Sequence, residues 1–283
     1  MQHPAKWRET IDPFSLPYHD FRLTEILGYP HAGNDVFHAK GIYNGQALCV
    51  FIKAARQKDA AIEREVSVLS QLDAPRFPKL IDFGLEGTPF SVTAELPGER
   101  LSTIVGENDA LRSLEYMEEY GATLAELHQW SLRTEAVRDR SFFHPPTEEL
   151  LDASGLGRLK AFFAKPPQTI VRCFCHGDFH YANILWHRHH VSGILDFELA
   201  GVGNRDFDIA WAMFRRPGQM FLKTQEEQEA FLRGYTRIAT CDRDAVKYYM
   251  AQCYVYFLQF SADDGEYCAY VRSWMKTLLE EAL

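Results

Sequence analysis

The chain has no C-x-x-C pair, no apolar run long enough to span a bilayer and no excess of positive charge. Each absence removes a class of function. The six cysteines (Cys49, Cys173, Cys175, Cys241, Cys253 and Cys268) form neither a zinc-type spacing nor a disulfide framework in a chain of 283 residues. The C-x-C at 173–175, beside His176, carries metal-ligand chemistry, but no second pair follows, so packing accounts for it. No window approaches the ~20 consecutive apolar residues of a spanning helix. The opening MQHPAKWRETIDPF lacks the apolar core of a secretory signal, so a cytoplasmic protein is expected. A formal net charge of −9 argues against nucleic acid as the main partner. There is no internal repeat and no low-complexity segment.

What is present suffices for a packed interior. Hydrophobic residues make up 46% and aromatics 13%, enough for one large domain or two lobes sharing a cleft. Charge is uneven: residues 1–98 are nearly balanced, with 10 Lys/Arg against 12 Asp/Glu, and most of the negative excess follows. An acidic second half is compatible with a cationic ligand and equally with ordinary solubility charge.

The first half reads as strands. Runs at 21–28, 36–43 and 46–55, with Asn44-Gly45 as a tight turn, predict an antiparallel meander. Lys53 lies in the third run, on the face shared with Cys49 and Phe51. Residues 59–72 then predict a helix, with Asp59 as its cap and Ile62, Val66, Leu69 and Leu72 as its apolar stripe. Glu65 falls on that stripe, whereas Glu63 points away. A carboxylate on a buried face needs a cation, and Lys53 is the nearest along the chain. Two more strands, 78–87 and 88–94, precede Glu95-Leu96-Pro97-Gly98, which ends the sheet. A lobe boundary is expected there, dividing residues 1–95 from 96–283.

The second half reads mainly as helices, at 109–132, 206–215, 225–237, 244–261 and 266–282. His128 is expected to be packed, and His187, His189 and His190 to be exposed in a turn. Within 173–211, two apolar runs (184–186 and 191–197) flank that turn and predict a β-hairpin. Asp178 and Asn183 precede its first strand, and Asp196 ends its second. The hairpin would gather hard oxygen ligands suited to Mg²⁺ and a spare carboxylate able to orient a hydroxyl. That combination suits phosphoryl transfer.

Several motifs fall in a consistent order: H-G-D-F-H-Y-A-N at 176–183, I-L-D-F-E at 194–198, F-D-I-A at 207–210, with Lys53, Glu65 and L-P-G at 96–98 before them. Over about residues 20–260 the chain resembles the aminoglycoside phosphotransferase and choline kinase group, which shares the protein-kinase-like fold. The resemblance implies an α+β, bilobal architecture: an antiparallel β-sheet N-lobe with one main helix, and a mostly helical C-lobe. It implies that Asp178 is the catalytic base or orients the acceptor hydroxyl, and that His180 donates to the transferring phosphate. Asn183 and Asp196 would hold Mg²⁺, and Lys53, braced by Glu65, would contact the phosphates of ATP or GTP. Ala94 C=O and Leu96 N–H would meet the base. Gly33, in the loop YPHAGND that lacks the G-x-G-x-x-G pattern, would let backbone approach phosphate. His176 and Asp208 would support the catalytic loop.

Glu198 replaces the Gly of D-F-G and no A-P-E segment follows, which argues against a regulated protein kinase. The expected activity is ATP-dependent O-phosphorylation of a small molecule, aminoglycoside phosphotransferase-like. For a polycationic acceptor, Asp263, Asp264 and Glu266 are the candidate contacts, against an ordinary exposed loop. A choline/ethanolamine-type or other metabolite kinase is the alternative, with Trp211, Tyr249, Tyr254, Tyr256, Tyr267, Tyr270 and Trp274 as the candidate aromatic cage. A nucleotide-binding pseudokinase or regulatory module is the alternative of another class; it would lack a base or a metal ligand, and none is lacking.

Overall fold

Alternating apolar residues drive the first half into strands, and the turn chemistry sets their register. The computed structural model describes residues 10–30 and 33–281. The first nine residues of the lead-in, His31 and Ala32 of the loop, and Ala282 lie outside them. Five strands, β1 (Phe21–Gly28), β2 (Asp35–Tyr43), β3 (Gln46–Ala54), β4 (Leu80–Gly84) and β5 (Phe90–Ala94), form an antiparallel sheet of order β1-β2-β3-β5-β4. Asn44 and Gly45 both have positive φ, 51° and 77°, as a two-residue hairpin turn requires. β2 and β3 therefore pair without a slip, from Asp35↔Ala54 to Tyr43↔Gln46. The apolar face closes over Phe37, Val50, Ile52, Phe90 and Val92, all fully buried.

Polar residues are buried with that interior too, Asp35, Asp82 and Ser91 among them. Asp82, on β4, accepts the backbone N–H groups of His19, Asp20 and Phe21 at 2.8, 3.0 and 3.0 Å. Burial pushes its carboxyl up, but the hydrogen bonds, from Phe21 and His19 above all, bring it below the ordinary carboxylate range. It pins the lead-in to the sheet.

Helix α1 (Ile62–Leu69) follows β3. Ile62, Glu65, Val66, Leu69 and Leu72 are buried, as the stripe predicts. Past residues 95–98 come β6 (Glu99–Arg100), α2 (Leu101–Val105), α3 (Leu114–Leu127), α4 (Glu148–Ala153) and α5 (Lys160–Phe163). The expected helix at 109–132 begins later, at Leu114. Asn108 and Leu111 take left-handed φ, 57° and 49°, which no α-helix continues through. A buried network replaces those helical turns: Asn108 donates to Ser113, and Ser113 donates to Glu227 at 2.6 Å.

β7 (Arg172–Cys175) pairs with β10 (Gly201–Asn204), and β8 (Ile184–His187) pairs with β9 (His190–Ile194) as the expected hairpin, with β6 at its edge. Four helices complete the lobe: α6 (Arg205–Met213), α7 (Gln225–Thr236), α8 (Arg243–Leu258) and α9 (Gly265–Glu281). Their core holds Tyr120, Trp186, Phe197, Phe231 and Tyr254, and it also takes in Val68 and Leu69 from α1 and Leu72 just after it. His187, His189 and His190 are exposed, as expected. No helix among the described residues is long and apolar enough to cross a membrane.

Candidate active site

The site is built outward from the loop that leaves β7. His176 is fully buried. Its Nδ1 accepts the N–H of Asp178 at 3.2 Å, so Nε2 carries the hydrogen and donates to Leu195 O at 3.0 Å. Burial holds its pKa below the ordinary histidine value, consistent with this neutral form. Gly177 has φ +77°, and a Cβ there would lie 2.6 Å from Leu199 O, so only glycine fits. Asp208, in the first turn of α6, accepts the N–H groups of His176 (2.9 Å) and Gly177 (3.0 Å). The Nε2 of His128 meets the same carboxylate at 3.1 Å, while its Nδ1 lies 2.7 Å from the hydroxyl of Tyr235. The loop backbone is thus fixed before the chain reaches Asp178.

Asp178 is surrounded by donors. Trp211 Nε1 donates to its Oδ1 at 2.8 Å, and Asn183 Nδ2 donates to its carbonyl at 3.0 Å and its Oδ2 at 3.4 Å. His180 Nδ1 accepts the N–H of Ala182, which leaves Nε2 to face Asp178 Oδ2 at 3.5 Å. Burial alone would raise the Asp178 pKa. The contact with His180, with the charge of Arg216 behind it, reverses that and holds the carboxyl far below its ordinary range. With its amide hydrogens committed to Asp178, Asn183 keeps its Oδ1 as an acceptor. Asp196 follows β9 in the left-handed region, φ +66°, which Asp tolerates, and its side chain is 43% exposed. Two oxygen donors of this kind fit Mg²⁺ and do not suit a soft metal.

Lys53 closes the arrangement from β3. Its Nζ lies 3.0 Å from Glu65 Oε1, 3.0 Å from Asp196 Oδ1 and 3.1 Å from Glu198 Oε1. Burial would lower its pKa, but the three carboxylates, Asp196 foremost, push it well above the ordinary lysine value. Glu65 is raised by burial; Lys53 pulls it down, and Asp196 and Glu198 push it back up. Glu198 also accepts from Asn34 Nδ2 at 2.6 Å and from Ala61 N–H at 3.3 Å. The expected cap of α1 is therefore corrected: Asp59 is turned to Arg138, 2.9 Å away, and the N-terminus of the helix is met by Glu198 from the other lobe.

Two cavities open onto these groups. One, of 740 Å³, lies between the sheet and the hairpin, lined by Val36, Phe51, Lys53, Ala94, Leu96 and Leu185. The N–H of Leu96 has no partner among the described residues. The other, of 430 Å³, is lined by Gly33 (φ +94°), Asn34, Arg140, Asp178, Asp196 and Glu198.

The sequence matches the model of the phosphotransferase enzyme family over residues 31–245, more than half of the chain. The chain belongs to that family. Three solved structures resemble this phosphotransferase. Aminoglycoside phosphotransferase APH(4)-Ia is 14% identical with a TM-score of 0.58, covering 92% of this chain and 94% of the other. The streptomycin–ATP ternary complex of APH(2″)-IIa is 15% identical at TM-score 0.58, covering 89% and 91%. Macrolide 2′-phosphotransferase MphH from Brachybacterium faecium is 16% identical at 0.52, covering 90% of each. At these identities the likeness establishes the fold, which is the α+β kinase-like fold expected from the sequence. No curated protein matches the chain.

In this phosphotransferase the acceptor candidates fare unequally. Asp264 accepts the N–H of Tyr267 at the start of α9, Glu266 holds Arg215 (2.8 Å) and Lys223 (3.5 Å), and Asp263 is exposed. None of the three touches Asp178. Tyr254 and Tyr267 are fully buried and Tyr249 nearly so, which makes them core. Of that aromatic set only Trp211 bonds to Asp178. Trp211 stands three residues after Asp208, on the same helix face, so the periodicity contains the signal. Glu198 was visible as a departure from D-F-G, but nothing in the sequence announces its reach to Lys53 and Ala61. Arg140 sits in an irregular loop without a motif.

Proposed function

We propose that this phosphotransferase moves the γ-phosphoryl group of ATP or GTP to a hydroxyl of a small molecule. The observation that carries the reading is the contact between Lys53 and Asp196, 143 residues apart and 3.0 Å from each other. It joins the strand lysine of one lobe to the oxygen ligands of the other. The nucleotide would lie between residues 1–95 and 96–283, with its base against Leu96 N–H and Ala94 C=O in the 740 Å³ cavity. Lys53, held charged by its carboxylates, would meet the phosphates, and the backbone at Gly33 would approach them from above. Asn183 and Asp196 would hold Mg²⁺, which supplies charge neutralisation on the phosphate oxygens.

Asp178 would take the acceptor hydroxyl as a hydrogen-bond donor. The acceptor oxygen forms the new O–P bond as the bond from the γ-phosphorus to the bridging oxygen breaks, and the nucleoside diphosphate leaves. The hydroxyl proton passes to Asp178. A carboxylate this acidic is a weak base, so it orients the hydroxyl first and receives the proton late, as a loose transition state allows. His180 Nε2–H would donate to the phosphoryl oxygens from beside Asp178. His176 and Asp208 would act by fixing the loop. The acceptor would be aminoglycoside-like, with a choline/ethanolamine-type or other metabolite as the alternative, and the cytoplasm is the expected compartment.

The test is release of nucleoside diphosphate with Mg·ATP and Mg·GTP over a panel of hydroxyl acceptors, with Asp178→Asn and Asp196→Ala as controls. Both variants should lose turnover. Near-normal activity in either would sink this mechanism, and nucleotide binding with no turnover on any acceptor would favour a regulatory module.

A further inference from the structure

The segment 138–140 reads Arg-Asp-Arg, and two of its three side chains have local partners. Arg138 pairs with Asp59 at 2.9 Å, and Asp139 takes His144 at 2.9 Å. Arg140 has no such partner: among the described residues its guanidinium forms no ion pair and no hydrogen bond. Aromatic faces hold it instead. Its central carbon lies 4.4 Å from the Phe142 ring centre and 5.9 Å from that of Trp211. Phe142 stacks on Trp211, with centroids 4.5 Å apart and planes 14° off parallel. Trp211 is the residue that donates to Asp178.

This places a planar, half-buried cation on the wall of the 430 Å³ cavity that also contains Asp178 and Asp196. A guanidinium stays charged under such burial. A partly desolvated charge is costly unless a counter-charge meets it. Asp178 is already supplied with donors by Trp211, Asn183 and His180, and Asp196 is engaged by Lys53. The stacked, rigid fork is suited to two parallel hydrogen bonds to a carboxylate or a phosphate.

We propose that Arg140 recognises an anionic group, carboxylate or phosphate, carried by the acceptor next to the hydroxyl that is phosphorylated. The inference rests on the phosphotransferase reading above and narrows the acceptor to an anionic or zwitterionic small molecule. The same fork could be met by the γ-phosphate of the nucleotide, so the test must separate the two sources.

The experiment is calorimetric titration of inorganic phosphate and of malonate into wild type and Arg140→Gln, each saturated either with Mg·ADP or with Mg·AMP-PNP. In the AMP-PNP complex the γ-position is filled, so an added anion finds only the acceptor side. Wild type should bind the anions there, and Arg140→Gln should bind them about ten- to a hundredfold more weakly. Arg140→Lys, which keeps the charge and loses the fork, should fall between. An Arg140-dependent anion site present with Mg·ADP and lost with Mg·AMP-PNP would assign Arg140 to the transferred phosphoryl group and overturn the proposal. Equal anion binding by wild type and Arg140→Gln in both complexes would also overturn it. Failure of AMP-PNP itself to bind would strike the phosphotransferase reading, a result distinct from either. Equal thermal midpoints of the two ligand-free proteins establish that Arg140→Gln is folded.

Discussion

Trp211 donates its indole N–H to Asp178 Oδ1 at 2.8 Å, from one turn beyond Asp208, which fixes the backbone at His176 and Gly177. One face of α6 thus sets both the backbone before Asp178 and the rotamer of Asp178 itself. Trp211→Phe keeps a ring against Phe142 and removes only the donor. A hydrogen bond to a charged group contributes roughly 1.5–3 kcal/mol, so kcat should fall about ten- to a hundredfold with the KM for ATP little changed. Steady-state kinetics decides; an unaltered kcat would remove Trp211 from the mechanism.

The acid side of the pH profile should be wide. Asp178 is held far below the usual carboxylate range by His180 and Arg216 against the opposing effect of burial. It therefore stays ionised throughout mild acid, and kcat/KM should show no loss from this group as pH falls to about 5. Trp211→Phe removes a donor to the charged form, so any acid limb that Asp178 contributes should move to higher pH. A profile that falls near neutrality in wild type and is unchanged in the variant would contradict the assignment.

Among the described residues Lys53 is the single cation paired with Glu65, Asp196 and Glu198. Breaking a buried pair from one side costs about 3–5 kcal/mol. Lys53→Met should therefore lower the stability of the ligand-free protein by an amount of that order, and raise the KM for ATP. Adding Glu65→Gln should restore part of the stability but not the KM. Denaturant unfolding of the single and double variants measures the coupling; strict additivity would deny it.

Asp82 holds three successive backbone N–H groups of the lead-in. Its folded-state pKa is below the unfolded one, so its stabilisation is present above the ordinary carboxylate value of about 3.9 and is lost as pH falls through the folded value. Asp82→Asn should destabilise the protein by about 2–4 kcal/mol at neutral pH, and the gap from wild type should narrow in acid. Hydrogen exchange at residues 19–21 should quicken in the variant, with little change in kcat.

Much of this was legible because the needed signals are local. Strand alternation and Asn44-Gly45 specify the meander, and helical spacing puts Glu65 rather than Glu63 inside. The short intervals between Asp178, Asn183 and Asp196 bring them together through one hairpin. What was illegible depends on distance or on backbone that breaks a pattern. The late start of α3 follows from left-handed residues that no periodicity announces. Asp82 looks like any polar residue in a half-exposed strand until the lead-in folds back on it. In the sequence Glu198 reads as a replacement for the glycine of D-F-G, because its partners Ala61 and Asn34 are more than 130 residues away. Arg140 stands out only once Arg138 and Asp139 are seen to be satisfied.

The attachment of α1 to the second lobe has a mechanical consequence. Arg64 donates to Ala200 O at 3.1 Å and pairs with Glu135 at 3.0 Å, Glu198 meets the start of the helix, and Val68, Leu69 and Leu72 sit in the larger core. The helix is clamped to the floor of the cleft, so the cleft would open by tilting the sheet over a stationary helix. Lys53 would then be the moving contact and the three carboxylates the fixed ones. On the proposed reading those carboxylates would act as a latch, and an arriving nucleotide would draw Lys53 away from Asp196 as its phosphates took their place.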